Sequence, residues 1–243
     1  MIDLTCIGGS RSYNLQIPSS DVDLLIMANN DWTVKVENKD GYNILYLTPD
    51  NFYARILGDI EYPHIWQFLY PQVFTSENEI VDYIVQNRDS IILSNPPYLY
   101  RSFSNYFHAG TSRMEDFYLV ARKRICYGLL YASILYNYAH GLEFAKCIRP
   151  DGDWHDTLLG IRTKDVSLKE CIELKELYKD RIESVEKFYD KPMDLKMLQN
   201  LNDVICSFSY MTYDEIKEKK LITPLWDTTS QKLLNIQGGL LYE

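Results

Sequence analysis

Long apolar runs are missing from this sequence. No stretch approaches the roughly 18 residues that a membrane-spanning helix needs, and the opening MIDLTCIGGS carries no basic segment ahead of an apolar one. Neither a membrane anchor nor a signal peptide is therefore expected. Cysteine pairs are missing too. Cys6, Cys126, Cys147, Cys171 and Cys206 are odd in number, far apart and never C-x-x-C, which argues against a disulfide framework or a zinc site. They read as buried thiols in a reducing compartment, with a cytoplasmic location as the default. An excess of basic residues is also lacking: the formal net charge of -9 argues against a protein that coats nucleic acid by bulk electrostatics, while leaving a local basic patch open. There is no internal repeat and no low-complexity segment. His64, His108, His140 and His155 are not spaced as a metal set and read as structural.

What is present is the composition of an ordinary globular chain. Its 243 residues, 46% hydrophobic and 24% charged, suffice for one large domain or two smaller ones. The 20 tyrosines are a high count, and most are expected at half-buried helix positions where the ring packs and the hydroxyl reaches water. The first fifty residues have strand character. IDLTCIG is a strand ending at Gly8-Gly9, a loop with one helical turn follows, and DVDLLIM is a second strand with carboxylates at its N-terminal end. TVKVEN and NILYLT then flank Lys39-Asp40-Gly41, whose Asp-Gly supplies hairpin turn chemistry.

After Pro49 the pattern turns helical. PDNFYARIL reads as a helix with Pro at its first position behind a Thr cap, and Ser76-x-x-Glu79 opens another with a capping box. Asn95-Pro96-Pro97 is the best candidate boundary. Beyond it come YLYRSFSNYFHAGTSR, a long segment ending at Gly141 in a C′ position, VSLKECIELKELYKDRIESVEKFYD and DLKMLQNLNDVICSFSYM, each helical in its apolar spacing. Trp154-His155-Asp156 falls in an apparent loop. The organisation expected is an α/β (α+β) chain: a small mixed sheet over 1–95, a helical domain over 96–225, and a tail over 226–243.

The chemistry concentrates in residues 8–24, GGSRSYNLQIPSSDVDL. Asp21 and Asp23 stand at i and i+2, the spacing that puts both side chains on one face of a strand. Two such carboxylates repel each other unless a cation neutralises them, and magnesium is the natural partner, held by one or two carboxylates plus substrate phosphates. The Gly9-Ser10 turn directly before them leaves room for backbone N–H groups and the Ser10 hydroxyl to approach a phosphate. A phosphate cradle, a short loop and paired metal ligands are what nucleotidyl transfer needs, with metal ions holding the triphosphate and activating the attacking hydroxyl.

Gly9-Ser10-Arg11-Ser12-Tyr13-Asn14, Pro18 and Ser20-Asp21-Val22-Asp23 together resemble the signature of the DNA polymerase β-like nucleotidyltransferase superfamily. The fuller string is similar to that of its predicted nucleotidyltransferases associated with RNA repair. Arg122-Lys123-Arg124 heading a helix, and Leu158-Leu159-Gly160-Ile161-Arg162 before the next, extend the likeness to about residue 210. The resemblance implies a Mg²⁺- or Mn²⁺-dependent transfer of a nucleoside monophosphate from an NTP to a hydroxyl, with an RNA end, such as that of a tRNA, as acceptor. In that reading Asp21 and Asp23 hold metal, and Gly9, Ser10, Arg11, Tyr13, Arg122 and Lys123 contact the nucleotide or RNA. For Tyr13 the alternative is packing in the core; for Arg162, pairing with an acid such as Asp165. The family's third carboxylate belongs on NILYLT, where the position falls on Tyr42 or Asn43; Asp40, or more distantly Glu61, could stand in. A chain lacking that acid has a second reading, a degenerate nucleotidyltransferase that binds nucleotide or a protein partner without turnover.

Overall fold

The computed structural model describes residues 2–28, 34–39, 41–57, 65–71, 79–112 and 119–208. Asp40, Glu61, Ser76 and the tail beyond 208, all of which entered the sequence reading, lie outside the described residues.

Two compact units emerge, one from residues 1–9, 21–98 and 193 onward, the other from 10–20 and 99–192. The first is built on a mixed sheet of four strands, β1 (Ile2–Ile7), β2 (Val22–Ala28), β3 (Val34–Lys39) and β4 (Tyr42–Leu47), in the order β1-β2-β4-β3. β1 runs antiparallel to β2, β2 parallel to β4, and β3 antiparallel to β4. This is the small mixed sheet expected for the opening of the chain. β2 is an inner strand with Leu25, Ile26 and Met27 all buried, so its apolar residues run continuously instead of alternating with polar ones.

Helices α2 (Pro49–Leu57), α3 (Trp66–Leu69) and α4 (Glu79–Ile92) follow β4. Pro49 takes the first turn of α2, where its missing N–H costs nothing, and Thr48 Oγ1 accepts from the Asn51 N–H at 3.2 Å. Phe52 of α2 meets Phe68 of α3 edge-on at 6.1 Å, and α3 and α4 pack on β1. The Asn95 amide donates to the carbonyls of Ile56 and Leu57 at 3.4 and 3.3 Å, closing the C-terminal end of α2. The last described helix, α10 (Leu195–Phe208), returns to this unit against α2 and α4.

Five further helices lead to it: α5 (Pro96–Thr111), α6 (Leu119–Ala139), the short α7 (Phe144–Cys147), and then α8 (Gly152–Thr163) and α9 (Leu168–Tyr189), with a single turn, α1 (Gly9–Ser12), near the start of the chain. In the helical unit α6 is central, packed on α7, α8 and α9. The α5–α6 crossing is close because it uses glycine: a Cβ on Gly110 would lie 2.5 Å from the Arg124 carbonyl oxygen. Trp154-His155-Asp156, expected in a loop, belongs to α8 instead. Asp151 lies at the N-cap position in extended conformation and Asp153 fills the first turn, so acids favour the helix start.

More than half of the described tyrosines are half-buried, as expected, and others go deeper. Tyr13, Tyr53, Tyr70, Tyr131, Tyr178 and Tyr189 are buried, and several hydroxyls meet protein acceptors rather than water: Tyr189 donates to the Leu135 carbonyl at 2.7 Å and Tyr100 to that of Ile182 at 3.3 Å. The thiols of Cys6, Cys126, Cys147 and Cys171 are buried and free, as the spacing implied, and burial pushes that of Cys126 up to about 12. Among the described residues no helix is long and apolar enough to cross a membrane.

Candidate functional site

The register of the sheet brings the candidate carboxylates to one row. Asp23 pairs across the parallel β2–β4 ladder with Asn43, and Asn43 pairs across the antiparallel β3–β4 ladder with Asn38. Asp21 immediately precedes β2. The Asn43 Nδ2 donates to Asp21 Oδ2 at 2.6 Å and lies 3.4 Å from Asp23 Oδ1. Asn38 Nδ2 in turn donates to Asn43 Oδ1 at 3.0 Å. Carboxylates can only accept, so the amide edge facing them is the NH₂. The carboxylates at i and i+2 therefore converge on a single donor. Asp21 is exposed and Asp23 half-buried, which keeps the row accessible to a ligand.

Asn43 occupies the position at which the third acid was sought, and it acts there as a hydrogen-bond donor. Lending its carbonyl to a metal would require the amide to turn over and to lose its present bond from Asn38. Among the described residues no group of three or more His, Cys, Asp or Glu side chains is placed to hold a metal ion. Two carboxylates directed at one point do fit a hard divalent cation whose remaining ligands are water or phosphate oxygens.

Gly9 is part of the same geometry. It sits at φ +59°, and a Cβ there would fall 1.8 Å from Asp23 Oδ2, so only glycine lets the carboxylate come alongside the turn. The Gly8 N–H donates to the Asp23 carbonyl at 2.9 Å, and the Gly9 N–H to Gln67 Oε1 at 3.1 Å. Gln67, delivered by α3 and buried, was not anticipated as a site residue. Its signal in the sequence was faint: a single amide inside the apolar run IWQFLY. With its N–H engaged by Gln67, Gly9 contributes shape to the turn more than a donor.

The other predicted contacts lie in the helical unit. Ser10 is buried and its carbonyl accepts from the Leu15 N–H at 2.9 Å. Arg11 is half-buried and its Nη2 donates to the Ser20 carbonyl at 3.4 Å. Tyr13 takes the core alternative: it is 2% exposed, its ring 5.3 Å from that of Tyr127 and its hydroxyl 2.5 Å from that of Tyr131. No ring face is left for a base to stack on. Arg122 also points inward, with Nη1 donating to the carbonyls of Ile161 and Val166 at 3.1 and 3.2 Å, where α8 ends and its connection to α9 begins. Lys123 and Arg124 are exposed, so the basic head of α6 offers them and not Arg122 to solvent. Arg162 does not pair with Asp165, whose carboxylate accepts from Thr163 Oγ1 at 2.6 Å. It reaches the 10–20 segment instead.

No protein-family model matches the chain, and no curated protein matches it in sequence. Among solved structures, a nucleotidyltransferase-like protein from Exiguobacterium sibiricum 255-15 aligns over 85% of this chain and 84% of its own, at 13% identity and a TM-score of 0.31. A similarity of that size leaves the chemistry to be argued from this chain's own residues.

Proposed function

We propose that the chain is a polymerase β-like nucleotidyltransferase that moves a nucleoside monophosphate from an NTP to a hydroxyl, with an RNA end, such as that of a tRNA, as acceptor. The observation that carries the reading is the convergence of Asp21 and Asp23 on one point beside the Gly9 turn. When bound, Mg²⁺ or Mn²⁺ would neutralise the triphosphate and lower the pKa of the attacking hydroxyl. Asp21 and Asp23 are the residues to hold it. Ser10, next in sequence to Gly9, supplies a hydroxyl for the β- and γ-phosphates, and exposed Lys123 a contact for an RNA backbone. Asn43 orients the two carboxylates and has no basicity to offer the acceptor hydroxyl.

A second reading is favoured by that last point. With an amide in place of a third acid, the protein binds nucleotide or a protein partner without turnover. One experiment separates the two: full-length protein with magnesium or manganese, each α-labelled NTP in turn and a total RNA pool, beside Asp23→Asn. Label transferred to RNA by the wild type, and at least a hundredfold less by Asp23→Asn, is the expected result. No transfer from any NTP, with nucleotide still raising the melting temperature, moves the conclusion to the binder. Neither transfer nor a melting shift overturns both.

A further inference from the structure

Residues 10–20 join the Gly9 turn to Asp21, and they belong to the helical unit. Side chains of α6 and α8 fasten them there. The Tyr13 hydroxyl meets that of Tyr131 on α6, and His155 Nε2 on α8 lies 2.8 Å from the carbonyl of Asn14, which adopts φ 61°. Arg162, in the last turn of α8, makes the two longest reaches along the segment: Nη1 donates to the Leu15 carbonyl and Nη2 to Ser20 Oγ at 3.4 Å. Both acceptors are themselves knotted into the segment. Leu15 N–H donates to the Ser10 carbonyl at 2.9 Å, and Ser20 Oγ accepts from the Ile17 N–H at 2.9 Å.

Arg162 is only 7% exposed, and among the described residues no carboxylate pairs with it. Carbonyl and hydroxyl oxygens and the face of Tyr127, 5.8 Å from its guanidinium carbon, are what surround the charge. A buried cation without a counter-ion is costly where its only task is filling space. A planar fork that spans two acceptors at opposite ends of a loop is something no apolar residue and no lysine can supply.

We propose that Arg162 is a positioning residue for nucleotide binding: by fixing Leu15 it fixes the Ser10 turn, and by fixing Ser20 it fixes the end of the segment that leads into Asp21. The inference rests on the nucleotidyltransferase reading, in which Ser10 meets the triphosphate. It assigns the arginine of the L-L-x-I-R segment a role through the loop, with no contact to phosphate of its own.

The test uses full-length wild type, Arg162→Lys and the milder His155→Ala, which removes one outer fastening and guards against a variant that does not fold. Amide hydrogen exchange is read over 10–20 and over α9, and the affinity and stoichiometry for each NTP with magnesium are read by calorimetry. Exchange over 10–20 should accelerate in both variants while α9 stays protected. The Kd for NTP should rise about ten- to a hundredfold in Arg162→Lys, the range in which orienting partners behind a ligand act, with stoichiometry held. Faster exchange with an unchanged Kd, or a fall in stoichiometry alone, would show a purely structural strap and overturn the proposal. Unchanged exchange in both variants also overturns it. A wild type that binds no NTP sinks the nucleotidyltransferase reading and the nucleotide role together, and the exchange data tell that failure apart from the absence of a strap.

Discussion

In the sheet unit, Asp21 and Asp23 meet the amide of Asn43; in the helical unit, the guanidiniums of Arg122 and Arg162 meet backbone carbonyls. Each of these contacts sets a neutral dipole against a full charge, but the surroundings differ. The carboxylates are exposed and half-buried, so a cation can replace the amide's hydrogens without rebuilding the core. Both arginines are less than a tenth exposed, and they donate to the carbonyls of Ile161, Val166 and Leu15 and, in the case of Arg162, to the Ser20 hydroxyl as well. The same chemistry thus makes a site open to ligand in one place and fixed architecture in the other. A run such as Arg122-Lys123-Arg124 has to be divided by that criterion: its first member holds the α8–α9 connection, and only the other two face solvent.

The largest expected effect comes from breaking the fixed side. Arg122→Met keeps an unbranched side chain and removes the donors, leaving the carbonyls of Ile161 and Val166 without that partner. A charged hydrogen bond and the desolvated acceptors behind it amount to about 3 kcal/mol. Urea unfolding should show a lower midpoint at unchanged slope. A loss below about 0.5 kcal/mol, the ordinary range for surface substitutions, would mean that Arg122 is as dispensable as a solvated charge and would dissolve the contrast.

The open side is tested by Asn43→Asp, which sets a third carboxylate against two acceptors it can no longer satisfy. Without divalent ions the variant should melt lower than wild type, by about 1 kcal/mol for like charges near a water-exposed surface. Adding Mg²⁺ or Mn²⁺ should close the gap and stabilise the variant more than the wild type. If melting is indifferent to both the substitution and the ion, the row is not a cation site and the comparison loses its first half.

Much of this was legible in the sequence, and the reason is local. The four strands, the Pro49 helix start behind Thr48 and the long α9 all follow from period, turn residues and caps whose partners lie within a few positions. Asn43 was reached only through the family resemblance, which puts a third acid at Tyr42 or Asn43; its pairing with Asp23 is a fact of the sheet register. Gln67 was not, since its partner Gly9 is 58 positions away and nothing local marks it. The roles of Tyr13, for which core packing was the open alternative, and of Arg122 were not decidable from sequence for a related reason. Sequence shows that a residue can reach a phosphate or a base, but only packing shows that its hydroxyl or fork is already taken, by Tyr131 in one case and by the α8 terminus in the other. The division into units that takes 10–20 away from its flanks is likewise a property of long-range contacts.

The smallest predicted effect concerns a third charge held by neutral groups, the exposed carboxylate of Glu170 in the capping box of α9. Glu170 Oε2 accepts from the Ser167 N–H at 2.8 Å and the Ser167 hydroxyl at 2.6 Å, while Ser167 Oγ accepts from the Glu170 N–H at 3.2 Å. The Ser167 hydroxyl, and then its backbone N–H, hold the Glu170 carboxyl below the ordinary carboxylate range. A lowered folded-state pKa stabilises the protein above the unfolded value of 4.5, and that stabilisation is lost as pH falls through the folded value. Ser167→Ala should therefore melt below the wild type at neutral pH, as the loss of an N-cap does. The difference in melting temperature from wild type should narrow below pH 4.5 without vanishing, because the bond from the Glu170 N–H to Ser167 Oγ does not depend on the carboxyl's charge. A difference constant with pH would show that the hydroxyl acts on the backbone alone, and that a carboxylate in open water gains nothing from the neutral donors that organise Asp21 and Asp23.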